Sequence, residues 1–266
     1  MKTLFTPLQK AFAGMRKRPA LVALAILVDV LFLVSFGFVY GLLFAETADH
    51  LDALNTILAE QTAQFVSTQD ATTLTANPDI DLHYAGVVRG IGLILLVLYI
   101  LWSLSQGVNW WVAHTLEERT VPFMRFIMRS FIVNLAWVAV FVAILFAIAW
   151  LSQQSLLAPV PLIGPGAFES ATLVLVVVLH YFMIVSYAYL THARPLRTAL
   201  SHAVRDARRF VPVFIMGAVG IMLAGYLIIT ISPINYVAGI AILLVIMLPW
   251  LALSRTWASA LAHSTP

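Results

Sequence analysis

The sequence predicts an all-α protein that crosses a membrane six times, and three observations carry that prediction. The chain is 62% hydrophobic and only 10% charged, whereas about a quarter of a soluble domain is charged. Its apolar residues lie in long unbroken runs, giving a mean hydropathy of +0.96. Its cations collect between alternate runs. Its 266 residues suit one transmembrane domain over 1–266. With no cysteine, disulfides, thiol catalysis, iron–sulfur clusters and cysteine-type zinc sites are excluded.

The first element predicted is an amphipathic inner helix over 1–18. Leu4, Leu8, Ala11, Phe12 and Met15 share one face, opposite Lys2, Lys10, Arg16 and Lys17. A first span over Pro19–Ala45 follows. It is too long for the apolar core of a signal peptide, and no clean small-x-small cleavage site comes after it. About 20 apolar residues cross a bilayer, and five more runs meet that length: Tyr84–Ala113, Ser130–Leu151, Ala171–Thr191, Phe210–Ser232 and Ile234–Ser254. Gly86 and Gly90 form a small-xxx-small pattern that permits close helix contact. Pro249 removes a hydrogen bond to the Val245 carbonyl and predicts a kink in the sixth span. Trp110, Trp111, Trp150 and Trp257 sit where interface anchors are expected.

The outer segment 46–83 places Leu51, Leu54, Leu58 and Phe65 on one helical face, predicting a helix at about 47–66 lying on the outer surface. The stretch after it, STQDATTLTANPDID, is turn-rich. The inner segment 192–210, HARPLRTALSHAVRDARRF, predicts another surface helix. Leu196, Ala199, Leu200, Ala203, Val204 and Ala207 line one face; the arginines, His202 and Asp206 line the other.

The cations orient the chain. If the N-terminus is cytoplasmic, 14 of the 15 Lys and Arg residues fall on the inner side, Arg255 among them, and only Arg89 falls outside. That bias predicts a multi-pass protein of the cell membrane with both termini cytoplasmic. Arg16, Lys17, Arg18, Arg194, Arg197, Arg205, Arg208 and Arg209 then face anionic lipid headgroups. Membrane lipids are the partners expected, with other membrane proteins or a second copy as further candidates. Aromatics interleave with arginine only at the membrane surface, so no nucleic-acid partner is expected.

Three inner segments share a register: Pro7-Leu8-x-x-Ala11-Phe12, Pro122-Phe123-x-x-Phe126-Ile127 and Pro195-Leu196-x-x-Ala199-Leu200. Each precedes a span, and the apolar residues after each proline are expected to face lipid. The chain can be read as three copies of surface helix plus helical hairpin, the middle surface helix being shorter. Convergence among basic segments ahead of spans is the alternative.

PLRTALSHAVRDARRF before the fifth span and RKRPALVALAILVDVLF at the first resemble poorly characterised prokaryotic six-span families. Among these is the membrane domain that precedes some bacterial glycerophosphodiester phosphodiesterases. The resemblance implies a six-span layout and no catalytic residues, since the chemistry of such fusions lies in a separate soluble domain.

Four intramembrane polar candidates stand out. Asp29 lies about ten residues into the first span. A charge there costs at least ~2.5–3.5 kcal/mol on insertion scales, so it should meet protein or water. It is either a proton or cation site, or a protonated or hydrogen-bonded group that fixes packing; on the second reading Asp29→Asn is nearly neutral. His180 could relay protons to Asp29 or make one interhelical hydrogen bond. Arg89 could snorkel outward or reach Asp29. Asn134, with Tyr226, reads as interhelical glue. His114, Glu117 and Glu118 have a spacing that could hold a metal on one face, but a solvated helix end is the favoured reading. No metal, cofactor or catalytic residue is therefore assigned, and no P-loop, HExxH, GxSxG or EF-hand pattern is present. The chain is expected not to be an enzyme. A scaffold, accessory subunit or lipid-organising protein is favoured over a small transporter or channel using Asp29 and His180, and over an intramembrane lipid enzyme.

Overall fold

A computed structural model describes residues 2–68, 78–118, 122–157, 165–192 and 194–264. The chain is an all-α polytopic membrane protein, with no strand among the described residues. Six helices are long and apolar enough to cross a membrane: Pro19–Ala63, Pro78–Leu116, Phe123–Gln154, Ser170–Ala188, Ala207–Ile231 and Tyr236–His263.

Helix α1 spans Lys2–Lys17 and α2 spans Pro19–Thr68. The helix expected on the outer surface at 47–66 is not a separate element. It is the continuation of α2, whose 50 residues extend ~75 Å at 1.5 Å per residue. Neither Gly nor Pro interrupts the chain between Gly41 and Pro78, so the acidic residues from Glu46 onward end the apolar run without ending the helix. The turn-rich stretch 69–77 lies outside the described residues, as does the proline-rich connection 158–164.

Next come α3 (Pro78–Leu116), α4 (Phe123–Leu157), α5 (Pro165–Ala188), α6 (Pro195–Arg205) and α7 (Ala207–Ile231). The inner helix predicted over 192–210 is shorter than that range. It ends where the Asp206 backbone N–H bonds back to the His202 carbonyl, and Arg208 and Arg209 belong to the next helix. The sixth span comprises α8 (Tyr236–Ile242), a π-helical stretch (Leu243–Met247) and α9 (Leu248–His263). The π stretch sits immediately ahead of Pro249. Widening the turn accommodates the missing donor and the ring.

Contacts divide the chain, expected as one domain, into two compact units: residues 1–29 with 103–266, and residues 30–102. The second unit is an antiparallel hairpin of α2 and α3. Phe32 packs edge-on against Trp102. Phe36, Val39, Tyr40 and Leu43 face Ile94, Val97, Leu98 and Leu101 around a void of about 10 Å³, the lower limit for a single water. Gly86 and Gly90 do permit close contact: a Cβ on Gly86 would strike the His50 ring, and one on Gly90 would strike the Thr47 side chain.

In the first unit the buried residues gather at one end of each second helix of a pair. Most of them lie in Ser103–Leu116 of α3, Val185–Leu190 at the end of α5, and Leu248–Ala262 of α9, joined by Phe126, Val133 and Asn134 of α4 and by Phe210 and Val213 of α7. The opposite halves stay exposed, as at Phe146, Leu173, Val174, Met222 and Ile229. Trp110 and Trp257 are therefore core residues at 2% and 5% exposure rather than interface anchors, while Trp150 is exposed.

The proline register has a structural counterpart different from the one expected. Four residues after each proline, Ala11, Phe126 and Ala199 are all buried to within 1%. They face protein, not lipid. The residue after each diverges: Phe12 and Leu200 are about half exposed, and Ile127 is buried. The middle copy has no separate short helix, because α4 runs unbroken from Phe123.

Candidate functional site

Asp29 is reached first by following charge. Its carboxylate is buried among α2, α3 and α9, with 8% of its side chain exposed. Arg255 grips it with both terminal nitrogens: Nη1 donates to Oδ2 at 2.8 Å and Nη2 donates to Oδ1 at 3.1 Å. Asn109 donates its Nδ2 to Oδ1 at 2.7 Å and lies 3.4 Å from Ser105 Oγ through the same nitrogen. A two-pronged Arg–carboxylate pair is among the stronger charged hydrogen bonds. Here it cancels two charges that would each be costly in hydrocarbon.

Sequence reasoning placed Arg255 in a cytoplasmic segment and so missed the pair. The signal was present. The apolar and small residues of Trp257–Ala262 continue the helix past Arg255, so this arginine lies inside the span. The polar run Ser103, Gln106, Asn109 in α3 was also missed. It recurs every three residues and is buried throughout.

The remaining candidates do not join Asp29. His180 is exposed, with its ring 5.8 Å from that of Phe214. The proposed relay between His180 and Asp29 is not formed, and neither is an interhelical hydrogen bond from His180 among the described residues. Arg89 is exposed and has no ion pair among the described residues. Asn134 does act between helices: its Oδ1 accepts from the Tyr187 hydroxyl, and both side chains are buried. Tyr226, at 67% exposure, does not.

His114 is not at a solvated helix end. It is 1% exposed, between Tyr187 and Ser259. The Tyr187 carbonyl, 3.2 Å from Nε2, can only accept, so Nε2 carries the proton. The Ser259 hydroxyl lies 3.0 Å from Nδ1. A serine beside an imidazole has the form of a hydrolytic dyad, but Ser259 is wholly buried and presents no oxygen to a substrate. No group of three His, Asp or Glu among the described residues could hold a metal.

The cations expected on the inner side divide into two kinds. Arg18 Nη1 donates to the Thr115 carbonyl at 2.8 Å, closing the end of α3. Arg129 Nη1 donates to the Leu190 and Thr191 carbonyls at 3.1 Å each, just beyond α5. Both satisfy carbonyls that a helix end leaves free and oppose its negative pole. Arg16, Lys17, Arg194, Arg197, Arg205 and Arg208 are exposed, and Arg209 is half-buried. Asp206 tempers this charge: it takes a 2.6 Å bond with His202 Nδ1 and lies 3.9 Å from Arg205 Nε. On α6, Ala199 and Ala203 face protein while Leu200 and Val204 are exposed beside the arginines.

No protein-family model, curated protein or solved structure matches the chain.

Proposed function

We propose that this is a non-enzymatic protein of the cell membrane, a scaffold or accessory subunit that gathers anionic lipid at its cytoplasmic face. The observation that carries the reading is the surface of α6. Its small residues are spent on protein contact, which leaves Leu200 and Val204 for acyl chains and Arg194, Arg197 and Arg205 for headgroups. Helix α1 repeats the pattern, with Ala11 buried while Phe12 is exposed near Arg16 and Lys17. The orientation rests on the positive-inside bias.

The transporter reading loses its main support. Its one intramembrane acid is held by Arg255 and Asn109, and His180 is exposed and away from that group. An intramembrane lipid hydrolase would need a reachable nucleophile, and the Ser259–His114 pair is sealed. The test is lipid selectivity. The protein is reconstituted with spin-labelled phosphatidylglycerol or phosphatidylcholine, and the immobilised fraction of each is compared. The reading expects phosphatidylglycerol to be preferred, and the preference to shrink in Arg197→Gln/Arg205→Gln/Arg208→Gln. Equal immobilisation of the two lipids by the unaltered protein would remove it.

A further inference from the structure

The hairpin of residues 30–102 holds a pair of groups that the reading above does not use. His50 of α2 and His83 of α3 meet with their Nδ1 atoms 3.1 Å apart and their ring centres 5.3 Å apart. The helices are shaped to allow it. Gly86, one turn after His83, has no side chain where the His50 imidazole lies, and a Cβ there would come within 2.5 Å of its Cδ2. One turn further along the contact, Gly90 lets Thr47 approach, and Thr47 is fixed by donating to the Leu43 carbonyl at 2.7 Å. Backbone packing therefore sets the separation of the two rings.

We infer that His50 and His83 form a two-histidine site for a borderline divalent ion, Zn²⁺, Cu²⁺ or Ni²⁺, which clips α2 to α3. The distance fits. Metal–nitrogen bonds of roughly 2.0–2.1 Å put adjacent ligands about 3.3 Å apart in a tetrahedron and about 2.9 Å apart in a square plane. The observed 3.1 Å lies between these values. Without metal, two nitrogens this close share one proton, one donating and the other accepting. Metal entry gives each Nδ1 lone pair to the ion, and the donor ring's proton moves to its own Nε2, so two neutral imidazoles become ligands. Imidazole selects these metals over Mg²⁺ and Ca²⁺, which take oxygen. Glu46 precedes His50 by one turn and Asp79 precedes His83 by one turn, both exposed. They add negative charge around the site. No third His, Asp or Glu among the described residues completes a cage, so water fills the remaining positions and the ion exchanges readily.

The sequence reading assigned no metal here because the two histidines are 33 residues apart and only the hairpin brings them together. The experiment uses the full chain in detergent, stripped with chelator and titrated calorimetrically with ZnCl₂ and with CuCl₂. One equivalent of metal is expected. His50→Gln and His83→Gln should each weaken binding at least tenfold, and His192→Gln/His263→Gln should leave it unchanged. A spectroscopic readout on the unaltered protein covers the case in which a variant unfolds: bound Cu²⁺ should show hyperfine coupling to two imidazole nitrogens. No binding, equal binding by the His50→Gln/His83→Gln variant, or a copper spectrum with fewer than two nitrogens would each overturn the inference.

Discussion

Replacing Asp29 by Asn changes one atom of a side chain and ought to be among the most damaging substitutions in the protein. The reason is Arg255. With 11% of the arginine side chain and 8% of the aspartate side chain exposed, little solvent screens either charge. An amide at position 29 removes the negative charge, points a donor at a guanidinium that has only donors, and leaves the cation uncompensated. Breaking one side of a buried pair costs about 3–5 kcal/mol. An isolated aspartate would have made the same change nearly neutral, so the pair reverses that expectation. Arg255→Met should cost a similar amount, because Asn109 alone then faces the carboxylate. Removing both charges is different: exchanging a whole buried pair for uncharged groups is often neutral or stabilising. In Asp29→Asn/Arg255→Met the new amide can still bond to Asn109, and stability should return to within about 1 kcal/mol of the starting protein, combining the pair-replacement result with one ordinary hydrogen bond. The cycle is read by equilibrium unfolding in mixed micelles, following helical circular dichroism. With single costs of about 3–5 kcal/mol each and a double cost within about 1 kcal/mol, the expected coupling is at least about 5 kcal/mol, above the range usual for contacting residues. If the two single changes add without rescue, Asp29 and Arg255 do not interact and the geometry described above is wrong.

Orientation can be checked because the described chain carries no cysteine background. Glu60→Cys should react with an impermeant maleimide on intact cells and Ser201→Cys should not, and the opposite pattern would invert the layout. In the hairpin, Gly90→Ala drives a methyl into Thr47 whereas Gly92→Ala meets nothing within 4 Å. Thermal unfolding should show Gly90→Ala destabilised by about 1–3 kcal/mol from overpacking, while Gly92→Ala is unchanged or gains up to about 1 kcal/mol from helix propensity. Equal effects would mean that the two helices do not approach at Gly90. Glu118 follows α3 with φ 62°, a conformation that suits glycine at a helix end. Glu118→Gly should raise the unfolding midpoint, by about 1 kcal/mol in free energy, and a lowered midpoint would show that the Glu118 side chain contributes more than its backbone strain takes away.

The spans were legible because crossing a bilayer needs only length and apolarity, and both can be read residue by residue. The helix starts at Pro19 and Pro195 were legible too, since proline fixes the first turn. Three things were not. The continuity of α2 through Glu46, Asp49 and Asp52 was hidden by treating the end of an apolar run as the end of a helix, although the absence of Gly and Pro up to Pro78 argued otherwise. Arg255 was hidden by the positive-inside count, which assigns every cation near a span end to water unless a partner is known. His114 was hidden because neighbouring glutamates suggested solvent, while the groups that bury it, Tyr187 and Ser259, lie 73 and 145 residues away. For Arg255 and His114 the local pattern reports the element, and only tertiary pairing reports the environment.

The long separation within the ion pair also sets a timetable for biogenesis. Asp29 and Arg255 are 226 residues apart, and Asn109 comes 80 residues after Asp29. At ~5–20 residues per second of synthesis, the carboxylate spends about 10–45 s in a nascent chain before its counter-ion is made. During that interval the first span carries an acid without its arginine partner, and Asn109 supplies its earliest polar contact. Chains truncated before α9 should therefore be retained by the insertion machinery or cleared by membrane proteases. Completion of the last helix would then act as the signal that releases the protein into the bilayer.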